Sequence, residues 1–162
     1  MKVPVLVDDG LTIWESLAIL EYLADKYPAL GFWPEDMKKR ALARSTANEM
    51  HGGFQALRSA CPMNLRRKIE AIEVGEGVRR DVARIETLWE ECLENSGGPY
   101  LFGEFCNADA MFAPVVNRLE KYELSDHPAV KTYSAAMKSH SAWVAWETAA
   151  LAEPWVIPAD EV

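Results

Sequence analysis

Two adjacent side chains, the carboxylate of Glu15 and the hydroxyl of Ser16, stand where a helical pattern begins. Leu17, Leu20 and Ala24 then recur on one stripe, so the spacing predicts an amphipathic helix with Ser16 as its N-cap. A helix N-terminus carries unpaired N–H groups and partial positive charge, so the serine can hold a carboxylate or a phosphate. The neighbouring glutamate can hold an ammonium group. The pair therefore suits the head group of an α-amino acid, and plain helix capping is the alternative interpretation.

The segment before this helix has the pattern of a β-hairpin. Residues 3–7 are apolar and rich in β-branched side chains, residues 8–10 supply the turn sequence Asp-Asp-Gly, and residues 11–14 are apolar apart from one threonine. Pro4 cannot donate a ladder hydrogen bond, so it fits either the start of an edge strand or a cis peptide in a turn. Both interpretations of Pro4 stay open on the residues alone.

Two further side chains have the chemistry of site residues. His51 precedes Gly52 and Gly53 in a helical segment; a lone histidine on a helix is more often structural or solvated, and we leave it out of the candidate site. The two glycines are expected to permit close approach of another helix or to open one wall of a cleft.

Cys61 stands near Arg66 and can be either a thiol of lowered pKa or a buried, unreactive cysteine; we favour the second because no general base is in view.

Composition excludes several classes of partner. The chain has 162 residues, 49% of them hydrophobic, which is enough for a sizeable core, and its 25 acidic against 17 basic residues give a formal charge of −8. This balance argues against nucleic acid or an anionic membrane as partner. Its three widely spaced cysteines indicate neither a disulfide framework nor a metal site, and fit a reducing cytoplasm. No segment has the length of a membrane span or the pattern of a secretion signal.

The remainder of the chain is predicted to be helical. Residues 28–36 are rich in proline and glycine and predict a linker, packed rather than free because it is also aromatic. The expected helices run from residue 37 to about 59, briefly over 68–73, over 78–95, from about 107 with Asp109 reaching back to the first amides, and from Pro128 and Ser141. The tail, 155–162, is expected to fold back over the linker.

Taken together, these segments resemble a glutathione S-transferase. The Val3-Pro4 pair before a strand, the hairpin and the Glu15-Ser16 helix start are similar to the family's glutathione-binding segment, and the helix start around Asp109 is similar to its capping motif. The resemblance implies a mostly α fold, in which a partial thioredoxin-like hairpin and helix (1–27) and a linker (28–36) precede an all-helical C-terminal domain (37–162). At that capping motif Cys106 replaces the family's serine or threonine, with Asn107 as a possible substitute cap.

The resemblance also implies roles for particular residues. The backbone of Val3, next to a cis Pro4, would pair with the cysteinyl part of glutathione, and Glu15 and Ser16 would bind its γ-glutamyl head group. Glutathione would be a co-substrate, no metal would be needed, and the protein would be a cytoplasmic homodimer.

A pocket for the second substrate, a small electrophile, would be lined by residues around Met50 and Phe54 on one helix and by Arg66 in the loop that follows. The Ser, Cys or Tyr that activates the thiol in such proteins would precede Met1, so we assign that role to no residue of this chain. The strand over residues 3–7 would then have an exposed apolar edge, which predicts self-association beyond a dimer.

Three interpretations follow. In the first, the chain is a glutathione transferase, or the product of a truncated copy of one, that transfers the thiol of glutathione to small electrophiles. In the second, it is a non-catalytic member of the family that serves as a binding or dimerisation module. The third interpretation is an unrelated helical protein with a chance hairpin, which glutathione would not stabilise against heat.

Overall fold

A two-stranded antiparallel hairpin followed by seven α-helices makes up the fold in residues 3–161, which are the residues that this computed structural model describes. The strands are β1 (Val5–Asp8) and β2 (Leu11–Trp14), and the helices are α1 (Ser16–Lys26), α2 (Met37–Gly52), α3 (Gln55–Ala60), α4 (Glu76–Ser96), α5 (Asn107–Lys121), α6 (Pro128–Ser139) and α7 (Ser141–Ala152). Short 3₁₀ helices cover Pro28–Leu30 and Pro158–Asp160. The predicted mostly helical fold with a partial thioredoxin-like hairpin and helix is confirmed.

The hairpin forms where the turn residues predict it. Asp9 and Gly10 both have positive φ angles, 49° and 81°, as the tight turns that match the strand twist require. Just before the turn, the Asp8 carboxylate accepts hydrogen bonds from Tyr22 Oη at 2.8 Å and from Lys26 Nζ. Lys26 is the main cause of the lowered pKa of Asp8. Both partners lie on α1, so the turn is fastened to the helix that the hairpin precedes.

The linker is packed, as its aromatic residues predicted. Trp33 is buried, and the guanidinium of Arg44 on α2 lies 5.6 Å from the centre of its ring. Arg44 also forms two hydrogen bonds, of 2.9 and 2.8 Å, to the carboxylate of Glu21 on α1. The Phe32 carbonyl accepts a 2.8 Å hydrogen bond from the Asn107 N–H at the start of α5. The hairpin and α1 are therefore held against the helical part by polar as well as apolar contacts.

The single helix predicted from residue 37 to about 59 is wrong, because the structure divides it into α2 and α3. Gly53 ends α2 and donates its N–H to the Glu49 carbonyl at 2.9 Å. A Cβ atom on Gly53 would lie 2.4 Å from that same carbonyl oxygen, and Phe54 then turns the chain with a φ of 54°. The glycine pair thus ends a helix and does not make room for a neighbouring one. The short helix predicted over 68–73 is also wrong, since that segment is irregular.

Helix α5 lies at the centre of the core, with Phe112 fully buried on it. Trp89 of α4 packs edge-on against Phe112 at 5.5 Å and against Tyr133 of α6 at 4.5 Å. The buried Asp109 carboxylate accepts hydrogen bonds from the Tyr133 hydroxyl at 2.9 Å, and from the N–H groups of Cys106 at 2.9 Å and Leu101 at 3.1 Å. Asp109 reaches back to the helix start as predicted, and burial raises the pKa of its carboxyl.

Two details at the ends of the helical part correct the sequence-based expectations. Cys106 itself is the N-cap of α5, whereas the side chain of Asn107 donates to the Leu20 carbonyl at 3.4 Å and so does not act as a substitute cap. The C-terminal tail folds against the loop after α3 and not over the linker: Arg66 donates to the carbonyls of Glu153, at 2.7 Å, and Trp155. Among the described residues, no helix combines the length and the apolar character that crossing a membrane requires.

Candidate functional site

The candidate site begins at Glu15, the residue that joins β2 to α1. Its side chain, and not that of Ser16, caps α1: Oε2 accepts from the Leu17 N–H at 3.2 Å, and the Glu15 carbonyl accepts from the Ile19 N–H at 3.0 Å. The predicted N-cap is therefore wrong by one residue. The physical reason is the backbone of Glu15, whose φ of 81° and ψ of 126° turn its side chain back over the first amides.

Pro4 lies beside this turn. The Val3–Pro4 peptide bond is cis, so the cis interpretation of Pro4 is confirmed. The Pro4 carbonyl accepts a 3.4 Å hydrogen bond from the Glu15 N–H, which brings the start of the hairpin to the start of α1. Val3 is 88% exposed. The four residues that the sequence proposed for glutathione are thus gathered in one place, at the junction of the hairpin with α1.

Ser16 is the first residue of α1 and is half-buried. Its hydroxyl donates to Glu15 Oε1 at 3.2 Å. The first-turn amides of an α-helix have no partner within the helix, and they carry the positive end of its dipole. The serine hydroxyl and these amides can donate hydrogen bonds to an anion, while the carboxylate of Glu15 next to them attracts a cation. This arrangement suits a zwitterionic amino acid group.

One contact at the site was not foreseen from the sequence. Nε2 of His51, in the last turn of α2, lies 3.2 Å from Glu15 Oε1, and both side chains are half-exposed. A lone histidine on a helix carries no local signal for a partner elsewhere in the chain, so the sequence does not predict His51 as part of the site. Only the packing of α2 beside α1 brings the two residues together.

The residues proposed for an electrophile pocket are not gathered in the same way. Met50 and Phe54 are buried in the core, with the Phe54 ring 6.3 Å from that of Phe112. Arg66 instead lines a cavity of about 250 Å³ between its loop, α7 and the C-terminal tail, together with Trp146. Helical spacing identified Met50 and Phe54 as inward-facing, but spacing alone does not distinguish a core from the wall of a ligand pocket.

None of the three cysteines has the environment of a reactive thiolate. Burial raises the pKa of the Cys92 thiol to about 11 and that of Cys106 to about 12. Burial also raises the pKa of Cys61, against the opposing effect of two nearby arginines. The burial expected of Cys61 is confirmed, and its low reactivity stays a prediction. Within residues 3–161, no group of three or more His, Cys, Asp or Glu side chains is arranged to hold a metal ion.

Comparisons with known sequences agree on one family. The sequence profile of the glutathione S-transferase N-terminal domain matches residues 1–25. A probable maleylacetoacetate isomerase of Caenorhabditis elegans is 32% identical over 147 residues, which are 89% of this chain and 69% of that protein. The maleylacetoacetate isomerase of Rattus norvegicus is 30% identical over 139 residues, 84% of this chain and 63% of that protein. A zeta-class glutathione S-transferase of Euphorbia esula is 31% identical over 117 residues, 71% of this chain and 52% of that protein.

Known structures show the same relationship. A glutathione transferase homolog from Burkholderia, crystallised with bound glutathione, superimposes with a TM-score of 0.71 at 25% sequence identity, over 94% of this chain and 74% of that one. The matched region covers only part of each relative: 69% of the length of the nematode protein and 63% of the length of the rat protein. With the sequence profile, the sequence relatives and the fold in agreement, the chain belongs to the glutathione S-transferase family.

Proposed function

We propose that this chain binds glutathione at the junction of β2 and α1. The observation that carries the proposal is the pairing of the Glu15 carboxylate with the N-terminus of α1 at Ser16, a cation acceptor beside an anion site. The ammonium of the ligand's γ-glutamyl group contacts the Glu15 carboxylate. The α-carboxylate of the same ligand group accepts hydrogen bonds from the hydroxyl and the amide of Ser16. The backbone of Val3, before the cis bond to Pro4, pairs with the cysteinyl part of the tripeptide.

The reaction that this binding serves is transfer of the glutathione thiol to a small electrophile. The thiolate sulfur donates an electron pair to an electrophilic carbon, and a carbon–sulfur bond forms as a leaving group departs or a π bond is displaced. This chain's part is to bind and orient the tripeptide, which fixes the position from which the sulfur meets the electrophile. We assign activation of the thiol to no residue of this chain.

A titration with glutathione tests the binding proposal. Glu15→Gln removes the negative charge while keeping the shape, and Ser16→Ala removes the hydroxyl. Each is expected to weaken binding roughly 10-fold or more, since a hydrogen bond to a charged group contributes about 1.5–3 kcal/mol. Glu104→Gln, at an exposed position on the loop before α5, is the matched control and is expected to bind as the unsubstituted chain does. Calorimetry gives the affinities, and equal affinities for all four proteins would contradict the proposal.

An activity measurement separates catalysis from binding. The chain is mixed with glutathione and a generic aryl halide, and thioether formation is followed against the uncatalysed rate. A rate above background supports a transferase. Binding of glutathione without any such rate would favour the alternative, a glutathione-binding or dimerisation module without catalysis.

A second candidate function is glutathione-dependent isomerisation. Two of its relatives, from nematode and rat, are named as maleylacetoacetate isomerases, the first of them only as probable. In such a reaction the thiol adds to a conjugated double bond, rotation occurs about the resulting single bond, and the thiol leaves again. The test substrate is a compound with a conjugated cis double bond, incubated with the chain and glutathione. Loss of the cis isomer with no glutathione consumed would distinguish isomerisation from net transfer of the thiol.

We also propose a domain division at 1–27, 28–36 and 37–162, a homodimeric assembly and a cytoplasmic location. The division is supported by the irregular, proline-containing segment between α1 and α2, and a reducing compartment is supported by the three free cysteines. Sedimentation equilibrium tests the dimer: a single species at the monomer mass over a wide range of concentration would contradict it.

A further inference from the structure

We propose that His51 is a positioning residue, which holds the carboxylate of Glu15 in the orientation that receives the ligand's ammonium group. The inference rests on the proposed glutathione site and deepens it. Its basis is the 3.2 Å contact between His51 Nε2 and Glu15 Oε1, which joins the end of α2 to the start of α1.

The hydrogen bonds already made by Glu15 determine what remains for a ligand. Oε1 is contacted by the Ser16 hydroxyl at 3.2 Å and by His51 Nε2, and Oε2 accepts from the Leu17 N–H at 3.2 Å. A carboxylate has about four lone-pair positions, so the two hydrogen bonds, from Ser16 and Leu17, leave one position on each oxygen, and the His51 imidazole lies against the one on Oε1. When a bound carboxylate draws the Ser16 hydroxyl away, His51 is the one of these three groups that still lies against Oε1. The imidazole thus fixes the glutamate when the ligand is present.

His51 is itself held in place, which a positioning residue must be. Its carbonyl accepts a 3.0 Å hydrogen bond from Arg58 Nη1, and the helix ends two residues later at Gly53, whose N–H is bonded to the Glu49 carbonyl. About two turns earlier in α2, Arg44 makes its paired hydrogen bonds to Glu21 of α1. The separation of the two helices is therefore set independently of His51. The imidazole extends from a fixed frame to Oε1, the carboxylate oxygen that the Leu17 N–H does not hold.

A purely structural role for this contact is disfavoured by its exposure. Both side chains are half-exposed, 39% for His51 and 41% for Glu15, and ion pairs so exposed to water add little to folding stability. The pair gains importance when a ligand covers it and excludes water. Its effect is then on affinity, and only for a ligand that uses the Glu15 carboxylate.

The test compares two ligands that differ only at the ammonium group: glutathione, and glutaryl-cysteinyl-glycine, which lacks the α-amino group. His51→Asn shortens the side chain and removes the donor at the Nε2 position, whereas His51→Gln returns a donor to about that position. We expect His51→Asn to weaken glutathione binding roughly 3- to 10-fold, and His51→Gln to recover most of the loss. The affinity for the deamino analogue is expected to stay the same in all three proteins.

The chain offers a matched control in His127, which also lies near a glutamate, with Nε2 3.7 Å from Glu90, and whose Nδ1 caps α6. His127→Asn keeps an acceptor that can cap α6 and removes the nitrogen near Glu90, outside the candidate site. It is expected to leave the affinities for glutathione and for the deamino analogue unchanged. In the double variant Glu15→Gln/His51→Asn, glutathione binding should be no weaker than in Glu15→Gln alone. Thermal unfolding without ligand verifies that each variant is folded.

Each outcome is decisive. An equal loss for both ligands, an unchanged affinity for glutathione in His51→Asn, or additive losses in the double variant would overturn the role of His51 while leaving the glutathione site intact. No binding of glutathione by the unsubstituted chain would overturn the proposed function, and this inference with it.

Discussion

At Glu15 a single carboxylate caps a helix and, in the proposed complex, also receives a ligand. A residue other than glycine with a φ of 81° costs on the order of 1–3 kcal/mol and persists only where its surroundings enforce it. Here the Glu15 N–H bonds to Pro4, the carbonyl to Ile19 and the side chain to Leu17. The conformation is therefore specified by hydrogen bonds on every side of the residue, and it directs the carboxylate toward the first turn of α1.

Burial of the three cysteines predicts slow reaction of their thiols. With a pKa of about 11, the Cys92 thiol is ionised at pH 8 to only about 0.1%, and Cys106, at about 12, even less. Burial raises the pKa of Cys61 as well. We expect the folded chain to react slowly with Ellman's reagent at pH 8, and all three thiols to react within seconds in guanidinium chloride. Rapid labelling of one thiol in the native chain would show that a cysteine is more accessible than this structure allows.

At the scale of elements, Gly52 and Gly53 at the end of α2 differ in the space available for a side chain. Gly53→Ala places a Cβ atom 2.4 Å from a backbone oxygen, so we expect a loss of about 1–3 kcal/mol in the free energy of unfolding. Gly52→Ala is the matched control, because a Cβ atom there meets nothing within 4 Å and alanine favours the helix by about 0.5–1 kcal/mol. Urea denaturation measures both. Equal effects of the two substitutions would contradict the explanation given for the glycine pair.

The contact between α2 and α4 predicts a dependence on pH. Arg84 on α4 forms hydrogen bonds of 2.6 and 2.8 Å to the Glu49 carboxylate on α2, and it is the main cause of the lowered pKa of Glu49. A carboxyl whose pKa is lowered by folding stabilises the fold above its unfolded-state value, 4.5, and loses that contribution as the pH falls through the folded-state pKa. Acid should therefore weaken the attachment of α2 to α4.

Arg84→Met tests this dependence. Because the pair is partly exposed, we expect the variant to lose no more than about 1 kcal/mol of unfolding free energy at pH 6, and the difference from the unsubstituted chain to shrink as the pH falls below 4.5 and through the lowered pKa of Glu49. Arg80→Met breaks the weaker 3.9 Å contact with Glu76, in which both side chains are 71% exposed, and serves as control. A difference for Arg84→Met that stays constant with pH would mean that packing of the arginine stem, and not the ion pair, stabilises the contact.

For the molecule as a whole, the features predicted correctly from the sequence are those that depend on neighbouring residues. The Asp-Asp-Gly turn, the bond from Asp109 back to the start of α5 and the helix starts at Pro128 and Ser141 all carry local signals, and the structure has them where expected. The division of the second helix was missed because it depends on a single close contact at Gly53. The approach of His51 to Glu15 was missed because it arises only when two helices distant in the chain pack together.

The exposed face of the hairpin predicts how copies of the chain associate. Val5 pairs with Trp14 and Val7 with Thr12 across the hairpin, on the face opposite to α1, and Val7 and Trp14 are 67% and 58% exposed. Within residues 3–161, β1 and β2 pair only with each other, and an exposed apolar face beside such a strand edge favours association with further copies. We expect the weight-average mass of the chain to rise above that of a dimer as its concentration increases.

Val7→Lys places a charge on this face and is expected to weaken that association at least about 10-fold, because joining two copies would then bury the ammonium. Thr132→Lys, at an exposed position of α6, adds the same charge elsewhere and is the control. Light scattering over a range of concentrations measures both variants. A mass that does not change with concentration in the unsubstituted chain would contradict the prediction, whereas a loss of association in both variants alike would assign it to net charge and not to the hairpin.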